Sequence, residues 1–371
     1  MRRAQAGSDE SVQETASDAV AGKCSAASLG YFEDRFLAIL NQDQQLLGTP
    51  VRRLPPIINR GNFARVSCME KLVLDFLSPP ACSETTTQQQ QQQQQEASKK
   101  RQVVSLGAGK DTLFFRLKDS GRAPRGGYFE VDFEAVTAWK ARLIAKTPDL
   151  SSLAAAGDNA VDAGKPPSVP LHTREEDTTT APGEGPGGAD RSSSPGLYRL
   201  VAADLRDTAG LEEGLRKAGV DFSAPTMFLA ECVLVYMEPS SSRALLQWCA
   251  SMFPKSMFAA YEMTNPDDAF GKMMKQNIQG MGCLLPGLDA YPSLNAQEER
   301  FSKAGWGVSR AVDMLSVFEG FLDPEDVRRA SKIEFLDEVE EWELIMRHYC
   351  LVVAAEGEDA ASRLSSMTLD R

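Results

Sequence analysis

The chain has 371 residues, with 40 Lys and Arg against 52 Asp and Glu, a net charge of −12. That balance argues against broad, phosphate-driven binding of nucleic acid, which needs a basic surface. The most apolar stretch, 226–237, is too short for a membrane helix and is interrupted by Glu231.

Residues 1–20 are small and polar and read as a disordered N-terminus. Two helices follow, over 31–40 and 62–77. A low-complexity insert at about 82–100 contains an unbroken glutamine run, 88–95. Then the pattern alternates. A strand over 102–106 precedes a helix over 111–119. A strand over 128–132 precedes a helix over 133–146. A second insert, about 148–197, holds six Gly and six Pro between Gly164 and Gly196 and almost nothing to bury. Strands over 198–204, 226–231 and 256–262 alternate with helices over 211–217 and 239–253. The stretch 267–348 reads as mostly helical, and 349–354 closes as a strand. Strands separated by helical patterns imply right-handed βαβ units and a mostly parallel α/β sheet buried on both faces. With the inserts set aside, 21–371 reads as one domain. The two N-terminal helices are expected over the carboxyl edge of the sheet, where ligands bind in such folds.

Only two histidines occur, and His172 falls in the long insert, so His-paired chemistry has few candidates. The seven cysteines are scattered without a Cys-x-x-Cys pair. They suggest neither a zinc site nor a disulfide framework, and no metal is expected. That usage suits a reducing compartment, and Asp9, Glu10, Glu14 and Asp18 are unlike a transit peptide, so a cytoplasmic protein is expected.

Leu106-Gly107-Ala108-Gly109-Lys110-Asp111-Thr112 lies where the first strand turns into a helix. Gly107 and Gly109 allow close backbone approach to a ligand, and the helix start favours an anionic group. The dinucleotide fingerprint fails at Thr112, and no P-loop Gly-Lys-Ser/Thr follows. Taken alone, the segment also fits a plain strand-to-helix turn. Asp132 ends the next strand, near the offset at which an acid takes ribose hydroxyls. Asp204-Leu205 ends the third strand and Glu231 the fourth. Acids at three successive strand ends beside a glycine turn suit an adenosine ligand without a pyrophosphate, such as S-adenosylmethionine.

Arg60-Gly61-Asn62-Phe63-Ala64-Arg65-Val66, the Leu-Gly-Ala-Gly-x-Asp-Thr turn, Tyr128-Phe129-Glu130-Val131-Asp132-Phe133, Ala203-Asp204-Leu205-Arg206 and Ala230-Glu231-Cys232-Val233-Leu234-Val235-Tyr236-Met237 stand in an order that resembles the leucine carboxyl methyltransferases. The resemblance implies a Rossmann-like class I methyltransferase sheet with N-terminal helices and a helical lid or substrate region. It implies methyl esterification of the C-terminal leucine α-carboxylate of the protein phosphatase type 2A catalytic subunit, and hence regulation of that phosphatase. Carried over residue by residue, it puts Gly107 against the methionine part of S-adenosylmethionine, Asp132 on the ribose, and Asp204 with Leu205 at the adenine. Glu231 completes that pocket, and Lys23 and Arg65 bind the donor from above. A peptide carboxylate is already ionised at neutral pH and needs orientation rather than a base. Arg65 and Arg206 are the candidate forks for it, with Tyr236 as a further donor.

Two other readings remain. One is a relative that methylates a carboxyl on hypermodified tRNA; such enzymes carry an added repeat domain, which the end of this chain soon after its last strand does not suggest. The other is a decayed fold that only binds.

Overall fold

The computed structural model describes residues 9–41, 52–78, 100–155, 171–172, 197–366 and 369. In chain order its strands are β1 (Gln102–Leu106), β2 (Tyr128–Asp132), β3 (Leu171–His172), β4 (Tyr198–Ala202), β5 (Thr226–Glu231), β6 (Ser256–Met263), β7 (Val308–Asp313) and β8 (Tyr349–Glu356). They form one sheet ordered β3-β4-β2-β1-β5-β6-β8-β7. Every pairing from β3 to β6 is parallel, whereas β8 runs antiparallel to β6 and β7 antiparallel to β8.

The sheet is apolar on both faces because its strands are apolar at both parities. Along β1, Val103 faces one core with Tyr128, Met227 and the N-terminal helices. Its neighbour Val104 faces the other core with Phe129, Phe228 and Phe258. Three strand ends meet at the centre: β1 runs into the glycine turn, β2 ends on Asp132 and β5 ends on Glu231. Side chains there open above the carboxyl edge, as expected for a doubly wound sheet.

Several expectations need correction. Residues 9–20 are not disordered: a helix spans Asp9–Ser28. Its buried residues are Ser11, Val20, Gly22, Lys23, Cys24, Ser25 and Ala26, so small and polar side chains interrupt the apolar face by which a buried helix is ordinarily read. The helix expected over 31–40 shrinks to Leu37–Leu40, because Asp34 accepts from the backbone N–H groups of Phe36 and Leu37 and holds the preceding residues in a turn. The second N-terminal helix is longer than expected, Pro56–Leu77. The long insert includes a helix, Pro148–Ala154, and supplies β3, which pairs with β4. Its residues 156–170 and 173–196, like the glutamine run, lie outside the described residues. Within the stretch expected to be helical, β7 adds a strand beside β8.

The two N-terminal helices are tied to the C-terminal third through Glu334. Its Oε1 accepts from Arg53 Nη2 at 2.6 Å, and its Oε2 accepts from Asn59 Nδ2 at 2.8 Å and from the Tyr31 hydroxyl at 3.2 Å. Asn59 also accepts from Ser25 Oγ at 2.7 Å, which joins the two helices directly. Arg329 adds bonds to the carbonyls of Gly30 and Tyr31. Burial alone would push the Glu334 carboxyl up, but the bonds from Arg53 and Asn59 outweigh it and hold the group below the usual carboxylate range. Glu334→Ala should therefore destabilise the fold by about 1–3 kcal/mol at neutral pH. A carboxyl with a lowered folded pKa stabilises fully above its unfolded value of ~4.3 and loses that contribution as pH falls through the folded value. Denaturant titrations of both proteins from neutral to acid pH should show the gap closing below that value.

Candidate functional site

Lys23, Arg65, Gly107, Asp132, Asp204, Leu205, Arg206, Glu231 and Tyr236 all line one cavity of about 570 Å³ above the carboxyl edge of the sheet. That volume falls in the ordinary range for a small-molecule site, ~300–1,000 Å³.

The floor is the turn after β1. Gly107 and Gly109 both take left-handed backbone, at φ +61° and +52°. A Cβ on Gly107 would come within 2.7 Å of Val233 Cγ2, and one on Gly109 within 3.1 Å of Ala16 Cβ. Side chains at these positions would strain the turn and crowd its neighbours. The Asp132 carboxylate locks the turn: Oδ2 accepts from the Gly109 N–H at 2.7 Å, and Oδ1 accepts from the Phe133 N–H at 2.7 Å. Burial raises the Asp132 carboxyl, an effect opposed by those two N–H groups. Each oxygen keeps a lone pair for a further donor such as a ribose hydroxyl.

Glu231 stands at the centre of a buried charge network. It accepts from Arg65 Nε at 2.6 Å and from Lys23 Nζ at 3.1 Å, and Lys23 also reaches Asp111 Oδ1 at 3.3 Å. Burial would push both carboxyls up, yet the cations prevail. Lys23 and Arg65 hold Glu231 below the usual range, and Lys23 with Lys140 and Arg116 brings Asp111 to about 2. Two cations and two acids thus come from the Asp9–Ser28 helix, the Pro56–Leu77 helix, the end of β5 and the glycine turn. Arg65 also lies 4.7 Å above the Tyr261 ring, which stacks on Tyr349. Both rings line the cavity.

Arg206, which also lines the cavity, is engaged as a brace. Its guanidinium grips Asp204, at 2.7 Å from Nη2, and Asp9, at 2.8 and 2.9 Å from Nη2 and Nη1. It thereby ties the start of the N-terminal helix to the loop after β4. Tyr236 belongs to a single 3-10 turn, Leu234–Tyr236, and burial pushes its hydroxyl well above the ordinary tyrosine value. Between Glu231 and that turn, Cys232 adopts left-handed backbone at φ +55°, unusual for a residue with a side chain. Its thiol is raised to about 12 by burial and is no nucleophile.

Sequence reasoning missed Asp111, Asp9, Tyr261 and Tyr349 as parts of the site. Asp111 was within sight, two residues after Gly109 in the quoted turn. Tyr261 and Tyr349 come together only through the β6–β8 pairing, which brings them onto one face two registers apart. No local pattern shows such a pair.

The residues present fit S-adenosylmethionine. Two glycines clear a path that a Cβ would fill, a buried acid flanks it, and paired cations and acids await an amino-acid zwitterion. Asp132→Ala should weaken binding of this donor by about 1.5–3 kcal/mol, the range for a hydrogen bond to a charged group. Calorimetric titration would measure the loss, with thermal unfolding as the check that the turn, and not the whole fold, has changed.

The model of a family described as leucine carboxyl methyltransferase matches residues 11–250. The leucine carboxyl methyltransferase 1 of Bos taurus is 37% identical over 349 residues, 94% of this chain and 91% of the relative. The Arabidopsis thaliana leucine carboxyl methyltransferase 1 homolog is 36% identical over 344 residues, 92% and 88% of the two chains. The tRNA wybutosine-synthesizing protein 4 of Homo sapiens is 35% identical over 353 residues, 95% of this chain but 45% of that protein. On the family match and these identities, the chain, whose glycine turn, strand-end acids and N-terminal cations assemble around one cavity, belongs to the leucine carboxyl methyltransferase family and is an S-adenosylmethionine-dependent methyltransferase.

Proposed function

We propose that the protein esterifies the α-carboxylate of the C-terminal leucine of the protein phosphatase type 2A catalytic subunit. What carries this reading is Arg65. Its Nε–H is fixed on Glu231, while Nη1 and Nη2 have no hydrogen-bond partner among the described residues, and the side chain lines the cavity. A guanidinium held by one edge offers the other as a planar fork for a carboxylate.

The donor supplies, when bound, a methyl group on a positively charged sulfur that leaves as a neutral thioether. Everything else is positioning. Glu231 sets the plane of Arg65, and Arg65 sets the acceptor carboxylate. Ile57, Ile58, Met263 and Ile278 line the same cavity and exclude water from the carboxylate, which raises its nucleophilicity. No general base is required, since the acceptor ionises at ~3.3–3.7.

The tRNA reading keeps one observation in its favour, the 35% identity to the human wybutosine-synthesizing protein. The chain's charge of −12 opposes a polyanionic substrate.

Radiolabelled methyl transfer should require the phosphatase C-terminal leucine, and a C-terminal leucine amide should accept no label. Single-turnover rates should be flat from about pH 7.5 to 9, because the acceptor is fully ionised and Arg does not titrate there. Glu130 and Glu262, which burial pushes up to about 7, are mostly ionised throughout that window. A lysine acceptor, with a pKa of ~10.4, would instead make the rate climb about thirtyfold. Such a climb, or labelling of the amide, would overturn the assignment.

A further inference from the structure

Behind the cavity wall lie two charged side chains that touch neither the donor site nor its cations. Glu262, at the end of β6, and Arg300, on the helix Leu294–Ser302, are 0% and 2% exposed. Burying two charges costs more than an apolar pair of the same size, so their presence asks for a reason other than stability.

That reason is the turn between them. Glu262 Oε1 accepts from the Leu234 N–H at 2.9 Å and from the Val233 N–H at 3.3 Å. Arg300 Nη2 donates to the Leu234 carbonyl at 3.0 Å. The Tyr261 carbonyl takes the Cys232 N–H at 2.7 Å, so successive N–H groups of the turn are fastened to the end of one strand. From the other side Gly287 presses so close that a Cβ there would lie 2.3 Å from the Leu234 carbonyl. The segment held this way includes the left-handed Cys232, and its side chains face the chemistry: Val233 closes on Gly107, and Tyr236 lines the cavity. An isolated strained turn would relax, whereas this one is gripped by opposite charges at adjacent backbone groups of the same residue.

We propose that Glu262 and Arg300 are positioning residues for methyl transfer, acting as a charged clamp that holds the turn 232–236 in its strained form so that Val233 and Tyr236 meet donor and acceptor in register. The proposal rests on the acceptor assignment above only for the choice of assay.

The test is the series E262M, R300M and E262M/R300M, read by thermal unfolding, donor titration, turnover on a C-terminal leucine acceptor, and hydrogen exchange at the Val233 and Leu234 amides. Each single variant leaves a lone buried charge and should unfold at a lower temperature. The double variant removes both charges and should recover most of that loss. Its turnover should not recover: kcat should stay down about tenfold or more with donor Kd changed less than about threefold, since the clamp acts as a unit. The two amides should exchange at least about tenfold faster in the double variant than in the parent protein. If kcat returns together with thermal stability, or the amides keep their protection, the pair is merely structural and the proposal falls. If the parent protein fails to methylate the leucine acceptor, it is the acceptor assignment that has failed, and amide exchange then decides the clamp alone.

Discussion

The structure depends on one buried electrostatic knot, Lys23 and Arg65 against Glu231 and Asp111. None of these charges is stable in its place without the others, because each is largely removed from water and an unpaired buried charge costs several kcal/mol. Folding therefore has to bring the N-terminal helices over the sheet edge before the site exists. Site geometry and the docking of the helices Asp9–Ser28 and Pro56–Leu77 are one event.

The surrounding bonds share that logic. Arg116 reaches Glu70 at 2.6 Å and Asp34 at 3.4 Å, so it links the helix after the glycine turn to both N-terminal segments. Thr112 donates to the same Asp34. Lys140 lies beneath the turn, donating to the Asp111 carbonyl at 2.7 Å while paired with Glu130. Glu130 in turn accepts from the Tyr198 hydroxyl at 2.9 Å, deep in the sheet. A chain of polar and charged bonds thus runs from Tyr198 at the start of β4 to Asp111 and on to Lys23.

What was legible in the sequence follows from where its signals are local. β1, β2 and β5 stand where expected, residue for residue, because buried parallel strands are short apolar runs closed by Gly or an acid. Asp132, Glu231 and Asp204 were legible for the same reason, being the last residue of β2, the last residue of β5 and a residue just after β4. The N-terminal helix was not, since its buried face mixes Val20, Cys24 and Ala26 with Lys23 and Ser25 and forms no continuous apolar stripe. β7 was hidden because its first half, Val308-Ser309-Arg310, is largely exposed and lacks the run that marks the central strands. Arg206 looked like a free fork because Asp9, which takes one side of it, lies 197 positions away. The partnership of Glu262 and Arg300 spans two elements, β6 and the helix Leu294–Ser302, and has no motif.

The N-terminal helix is fastened at its two ends by contacts of different physical kind. At its outer end Asp9 meets Arg206 where both side chains are nearly half exposed, at 46% and 45%. At its inner end Lys23 meets Glu231 at 9% and 17% exposure. Ionic strength screens the first pair strongly and the second hardly at all. Added salt therefore weakens the fastening of the outer end of this helix and leaves the grip at the charge knot nearly unchanged.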